Sequence, residues 1–245
     1  MRLVTTAYPR WQVADGITVL AAVALAVATT TYHHEVTGPA TACGLIAGGV
    51  GVCTSWPQVW RLWFGRQHAG LALSTNLMGV LYGVAWLLYG VLCHSTVQVL
   101  TSAIGLVGAA AVLAGHVVRA RIGPRAWVPG FLVGLVVIAG ACAPGRGTLG
   151  VAASVATIAG VVPQLLALIT DSGRRDAAGV SRARWGLAVA CNALWAGYGA
   201  IVGDRLIVVN SLIIAALAGS IVVLATRAQP RTTEAGGGAV FATVG

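Results

Sequence analysis

The chain has 245 residues, 58% hydrophobic and 9% charged, with a net charge of +9 and a mean hydropathy of +0.86. Soluble domains carry about 25% charged residues, so there is too little polar surface here for a water-facing globule, and lipid is the expected solvent. All fifteen basic residues are arginines placed in the short gaps between apolar runs; that placement suits membrane orientation and argues against a nucleic-acid partner.

A helix needs about 20 mostly apolar residues to cross a bilayer. The runs that meet this requirement fall at 14–31, 40–63, 74–93, 96–118, 127–143, 148–170, 183–202 and 205–226. The first follows Arg2 and Arg10 and ends in Ala26-Val27-Ala28, so it reads either as a retained helix or as a signal peptide removed on export. With a cytoplasmic N-terminus, thirteen arginines fall on cytoplasmic segments and two, Arg146 and Arg205, on outer loops. That bias supports eight spans with both termini in the cytoplasm of a cell membrane.

The chain also repeats itself. The second run contains Thr54-Ser55-Trp56-Pro57-Gln58 and the sixth contains Val161-Val162-Pro163-Gln164, so the Pro-Gln pair recurs at an offset of 106. The runs that follow share a core, Trp86-Leu87-Leu88-Tyr89-Gly90 and Trp195-Ala196-Gly197-Tyr198-Gly199, at an offset of 109. The three extra residues fit a longer loop near Asp171–Asp176, because loops accept insertions and helices do not. A three-helix unit ends on the side opposite its start, so one helix must return the chain before a second unit of the same orientation. The expected fold is an all-α polytopic membrane protein of about eight helices, arranged 1 + (3 + 1 + 3) with two parallel three-helix repeats. The extra helix lies in 1–35, the first repeat in 40–118, the linker helix in 119–145 and the second repeat in 146–226. A Gly-rich, disordered tail follows in 227–245.

Two copies of Pro-Gln, each with a downstream Trp-x-x-Tyr-Gly, and Asn210 on the last run resemble the PQ-loop superfamily. The likeness extends over about residues 40 to 226 and is greatest to the SWEET sugar transporters and their half-size SemiSWEET relatives. The resemblance implies a small sugar as substrate, carried by alternating access. It implies that Trp86 and Trp195 line a central cavity and that Asn210 hydrogen-bonds the sugar. It also implies that Pro57 and Pro163 act as hinges, beside Gln58 and Gln164. The position matching Asn210 in the first repeat is Thr101, so one amide of the family's pair is a hydroxyl here. Asn192, one turn before Trp195, points the same way round its helix, and its counterpart is Gly83. The further proline that many two-repeat members carry is missing from 74–89 and from 181–198.

Independently of the resemblance, a sugar site needs flat apolar faces and neutral hydrogen-bonding groups, and matched indoles with an intramembrane amide supply both. The six acidic residues all fall away from span centres, so a proton carrier is not apparent and facilitated diffusion is the expected mode. His116 reads as a snorkelling or packing residue beside Arg119. The five cysteines form no CxxC pair, and His33-His34-Glu35 lacks a further nearby ligand. No cofactor, metal or enzymatic activity is expected. The partners expected are a lipid bilayer and a sugar, with self-association left open. A proton-coupled amino-acid carrier and a non-transporting receptor of the same fold are the alternatives.

Overall fold

The computed structural model describes residues 38–65, 73–170 and 182–228, apart from a few side chains within these helices. The run at 14–31, the His33–Glu35 cluster, the basic loops at 66–72 and 171–181 and the tail from 229 lie outside the described residues, as do the side chains of Pro57 and Gln58. Seven α-helices are described. They are α1 (Pro39–Trp63), α2 (Leu73–Leu92), α3 (Thr96–Arg119), α4 (Val128–Cys142), α5 (Arg146–Ile169), α6 (Arg182–Val202) and α7 (Arg205–Ala228). They match the predicted second to eighth runs. The differences lie at the ends. A 3-10 turn at Pro124–Ala126 precedes α4, Arg146 opens α5 rather than sitting in the loop, and α7 takes in the first two residues assigned to the tail.

By length and composition, five helices can cross a membrane: α2, α3, α5, α6 and α7. The apolar stretch of α1, Pro39–Thr54, and the whole of α4 are shorter. The chain is therefore a multi-span helical membrane protein. Its outer surface agrees with a lipid solvent, since Val133, Val136 and Val155 are 64%, 70% and 60% exposed. Exposure of that extent on successive turns would be unfavourable in water.

Local chemistry explains where the helices begin. Pro39 enters the first turn of α1, where its missing N–H is not needed. Ser95 caps α3 by accepting from the Gln98 N–H at 3.2 Å, and Asp204 caps α7 by accepting from the N–H groups of Leu206 and Ile207 at 3.0 and 3.1 Å. The α2–α3 and α6–α7 turns are built alike. In the first, Ser95 N bonds Gly90 O and His94 N bonds Val91 O. In the second, Asp204 N bonds Gly199 O and Gly203 N bonds Ala200 O. His94 and Gly203 hold equivalent left-handed positions, with φ of 52° and 74°. The glycine of each Trp-x-x-Tyr-Gly core permits the tight return. A Cβ on Gly90 would lie 2.8 Å from the Gln98 side chain, and one on Gly199 would lie 3.0 Å from Ile207 and from Val208.

Packing divides the bundle into halves. Helix α3 lies against both α1 and α2, and α7 against both α5 and α6, while α1 meets α6 and α2 meets α5. These contacts close a ring in the order α1, α3, α2, α5, α7, α6. Helix α4 lies outside it on α2 and α5. At the end that holds the α2–α3 and α6–α7 turns, called here the turn end, one apolar core includes residues of both halves. Leu81, Ala85, Tyr89 and Val97 pack there with Leu149, Ala153, Tyr198 and Ile207. At the opposite end, the loop end, the cores are separate. Val59, Leu62, Ala111 and Val112 form one, and Leu168, Ile221 and Ala225 form the other.

Candidate functional site

Tyr82, Trp86 and Tyr89 follow one another at i, i+4 and i+7 on α2, and Cys191, Trp195 and Tyr198 do so on α6, so each set shares one helix face. The two faces are near each other, since the Tyr82 hydroxyl is within electrostatic reach of Arg184 and Cys191 on α6. Both Trp–Tyr pairs adopt the same edge-to-face contact. Ring centroids are 5.4 Å apart at 82° for Trp86–Tyr89, and 5.3 Å apart at 88° for Trp195–Tyr198. Such contacts hold each indole at a fixed angle on its helix. Trp86 and Trp195 are half-buried against the core shared by the two halves.

Each tyrosine then reaches the other half. The Tyr89 hydroxyl donates to Asp204 Oδ2 at 2.7 Å, and the Tyr198 hydroxyl meets Ser95 Oγ at 2.7 Å. The residues they reach are the two helix caps, so each cap serves its own helix and the opposite half together. Glycines on α1 and α5 allow the approach. A Cβ on Gly44 would collide with Val97 and come within 3.0 Å of Tyr198, and one on Gly150 would stand 2.7 Å from Tyr89 and 2.8 Å from Leu206. Further bonds cross between the halves nearby. Trp86 Nε1 donates to Thr157 Oγ1 at 3.0 Å, Cys43 Sγ to Leu194 O at 3.2 Å and Cys191 Sγ to Ala47 O at 3.3 Å.

The polar candidates differ in what they have left to offer. Asn210 is 8% exposed, and its Oδ1 accepts no hydrogen bond from any described residue. A buried carbonyl oxygen in that state costs about 1–3 kcal/mol unless something donates to it. Thr101 is spoken for, because its hydroxyl donates to Val97 O at 2.7 Å and its methyl occupies the space beside Gly48. The Asn192 amide donates to Ala188 O on its own helix at 2.8 Å. Pro163 lies inside α5 on an exposed face, next to the half-buried Gln164. His116 is not a snorkelling residue, since it is 5% exposed and its Nδ1 lies 2.8 Å from Asn76 Nδ2.

Sequence reasoning brought Trp86 and Trp195 to one shared core but did not single out Asp204, Ser95 or Thr157. For the first two a signal was present. The offset of 109 that aligns the Trp-x-x-Tyr-Gly cores also places Ser95 on Asp204, and both types are strong helix N-caps. Thr157 had no such signal, because the residue 106 positions earlier is Gly51. Among the described residues no cluster of three or more His, Cys, Asp or Glu side chains could hold a metal ion. No protein-family model matches the chain, and no curated protein matches it.

Proposed function

We propose that the chain is a membrane carrier for a small neutral sugar, built from two parallel three-helix repeats and working by alternating access as a facilitative uniporter. The observation behind this reading is the unequal joining of the two halves. At the turn end they share a core and are tied by Tyr89–Asp204 and Tyr198–Ser95. At the loop end each half keeps its own core. A molecule closed at one end and divided at the other is what one side of an alternating-access cycle requires. The ties at the closed end are a few hydrogen bonds, each worth about 0.5–3 kcal/mol net, so the closed end can open on a functional timescale.

The ring of helices supports the same reading, because no substantial packing joins α3 to α7 across its middle. Asn210 Oδ1 adds a buried acceptor in want of a donor, and a sugar hydroxyl is such a donor. In this reading the loop end faces the cytoplasm, as the arginine bias requires. Pro57 and Pro163 then provide the bending points, and Trp86 and Trp195 provide the faces against which a pyranose stacks.

Counterflow of labelled glucose or sucrose into liposomes holding the purified chain tests the proposal. Wild-type protein is expected to exchange one of them, and Trp195→Ala is expected to lose at least tenfold of that rate. Absence of exchange for a panel of neutral sugars, with the protein folded in the liposome, would overturn it. One observation favours a second reading, a proton-linked solute carrier: the tie at the closed end includes a carboxylate, Asp204. In that case uptake responds to an imposed pH gradient, and Asp204→Asn abolishes the response.

A further inference from the structure

The loop ends of the two halves are held together internally by different chemistry. In the first half, α3 is tied to both its neighbours by polar bonds. Arg119 Nε donates to Leu62 O at 3.2 Å and Arg119 Nη2 donates to Trp63 O at 3.0 Å, which satisfies carbonyls at the C-terminal end of α1. The Trp63 indole N–H returns a bond to Ala111 O at 3.0 Å. Gly115 admits this indole, since a Cβ there would lie 3.0 Å from Trp63 Nε1 and 3.2 Å from Leu62 Cβ. On the other flank the buried Asn76–His116 pair ties α2 to α3 at 2.8 Å.

The offsets of 106 and 109 carry these residues to a different set in the second half. Leu62 maps to Leu168, Trp63 to Ile169, Ala111 to Ser220 and Gly115 to Leu224. Asn76, His116 and Arg119 map to Trp185, Ala225 and Ala228. Leu168 repeats the buried leucine, but isoleucine and alanine cannot donate a side-chain hydrogen bond. Ser220 bonds its own helix at Ala216 O, and the Trp185 ring takes the guanidinium of its neighbour Arg184 at 5.7 Å. At these positions the second half relies on the apolar packing of Leu168, Ile221 and Ala225 with Leu165, Trp185 and Leu224.

Directional bonds to backbone carbonyls fix the relative position of helices, whereas apolar surfaces in a lipid solvent gain little from one contact over another. We propose that the two halves are mechanically unequal: the first half is a fixed jaw, braced at its loop end by Arg119, Trp63 and the Asn76–His116 pair, and motion at that end is made by the second half. The inequality concerns the fold and needs no solute. A chain that fails to exchange sugar but keeps the inequality would sink the carrier reading and leave this one standing.

Hydrogen–deuterium exchange on the full chain in lipid nanodiscs tests it, with amide rates corrected for sequence. Residues 59–63 and 111–119 are expected to exchange at least tenfold more slowly than 165–169 and 220–228. Arg119→Leu, and separately Trp63→Phe, are expected to raise exchange at 59–63 severalfold and leave 165–169 unchanged. Equal protection of the two loop ends in the wild-type chain, or better protection of the second, would overturn the proposal. So would unaltered exchange at 59–63 in both variants. The wild-type comparison decides even if neither variant can be purified.

Discussion

Ser95 and Asp204 occupy matching places but are not equal. Each caps a helix and each holds a tyrosine of the opposite half, yet Asp204 accepts three hydrogen bonds from described groups, and as a carboxylate. Hydrogen bonds to a charged group contribute about 1.5–3 kcal/mol, against about 1 for neutral pairs, and loss of an N-cap costs about 1 kcal/mol. Ser95→Ala is therefore expected to lower stability by about 2 kcal/mol and Asp204→Ala by clearly more, read as midpoints of thermal unfolding in one detergent. Equal losses would show that the charge at position 204 contributes nothing to the tie. The residue types behind these roles stood in the chain, in the repeat offset and in two good cap formers. What they touch did not, because Tyr89 and Asp204 are 115 residues apart and their meeting depends on how α2 and α5 dock.

At the scale of helices, close approach depends on residues without side chains. Gly150 on α5 faces Tyr89 at a distance that leaves no room for a methyl group. Gly150→Ala must therefore move α5 away from α2 or displace the Tyr89 ring, and overpacking of this kind costs about 1–3 kcal/mol. The variant is expected to unfold at lower temperature. It is also expected to lengthen the Tyr89–Asp204 contact, so that a second change, Tyr89→Phe, costs less in the Gly150→Ala background than in wild type. Full additivity of the two would place Gly150 outside the tie. Element positions were largely legible from the sequence, because about 20 apolar residues between arginines admit few other arrangements. The 3-10 turn before α4 and the early start of α5 at Arg146 were not. Helix ends are set by capping and by neighbours rather than by hydropathy.

For the molecule as a whole, the arginine bias predicts which end faces which compartment. In a background without its five cysteines, Arg121→Cys lies after α3 and Pro144→Cys after α4, on opposite ends of the bundle, and both positions are exposed. A membrane-impermeant maleimide is expected to label Pro144→Cys in intact cells, and Arg121→Cys only after permeabilisation. The reverse pattern would invert the topology, and with it the assignment of the divided loop end to the cytoplasm. The same orientation bears on the polar site, because it determines from which side Asn210 becomes reachable.

Composition alone determined that this chain lives in lipid, since 9% charge cannot coat a water-facing surface. Spacing alone determined the helices and the offsets at which their key residues recur, because the bilayer thickness and the 3.6-residue turn leave little freedom. Tertiary structure decided which of the recurring residues do equivalent work. Thr101 stands where Asn210 stands in the other half, but its hydroxyl is already bonded to its own helix. Trp86 has an acceptor in Thr157, while the residue that would serve Trp195 is a glycine, Gly51. Asn76, His116, Trp63 and Arg119 form a brace only because α1 and α2 both settle on α3. A hydrogen bond between residues far apart in the chain exists only once packing has set their distance and angle, and apolar periodicity carries no information about either.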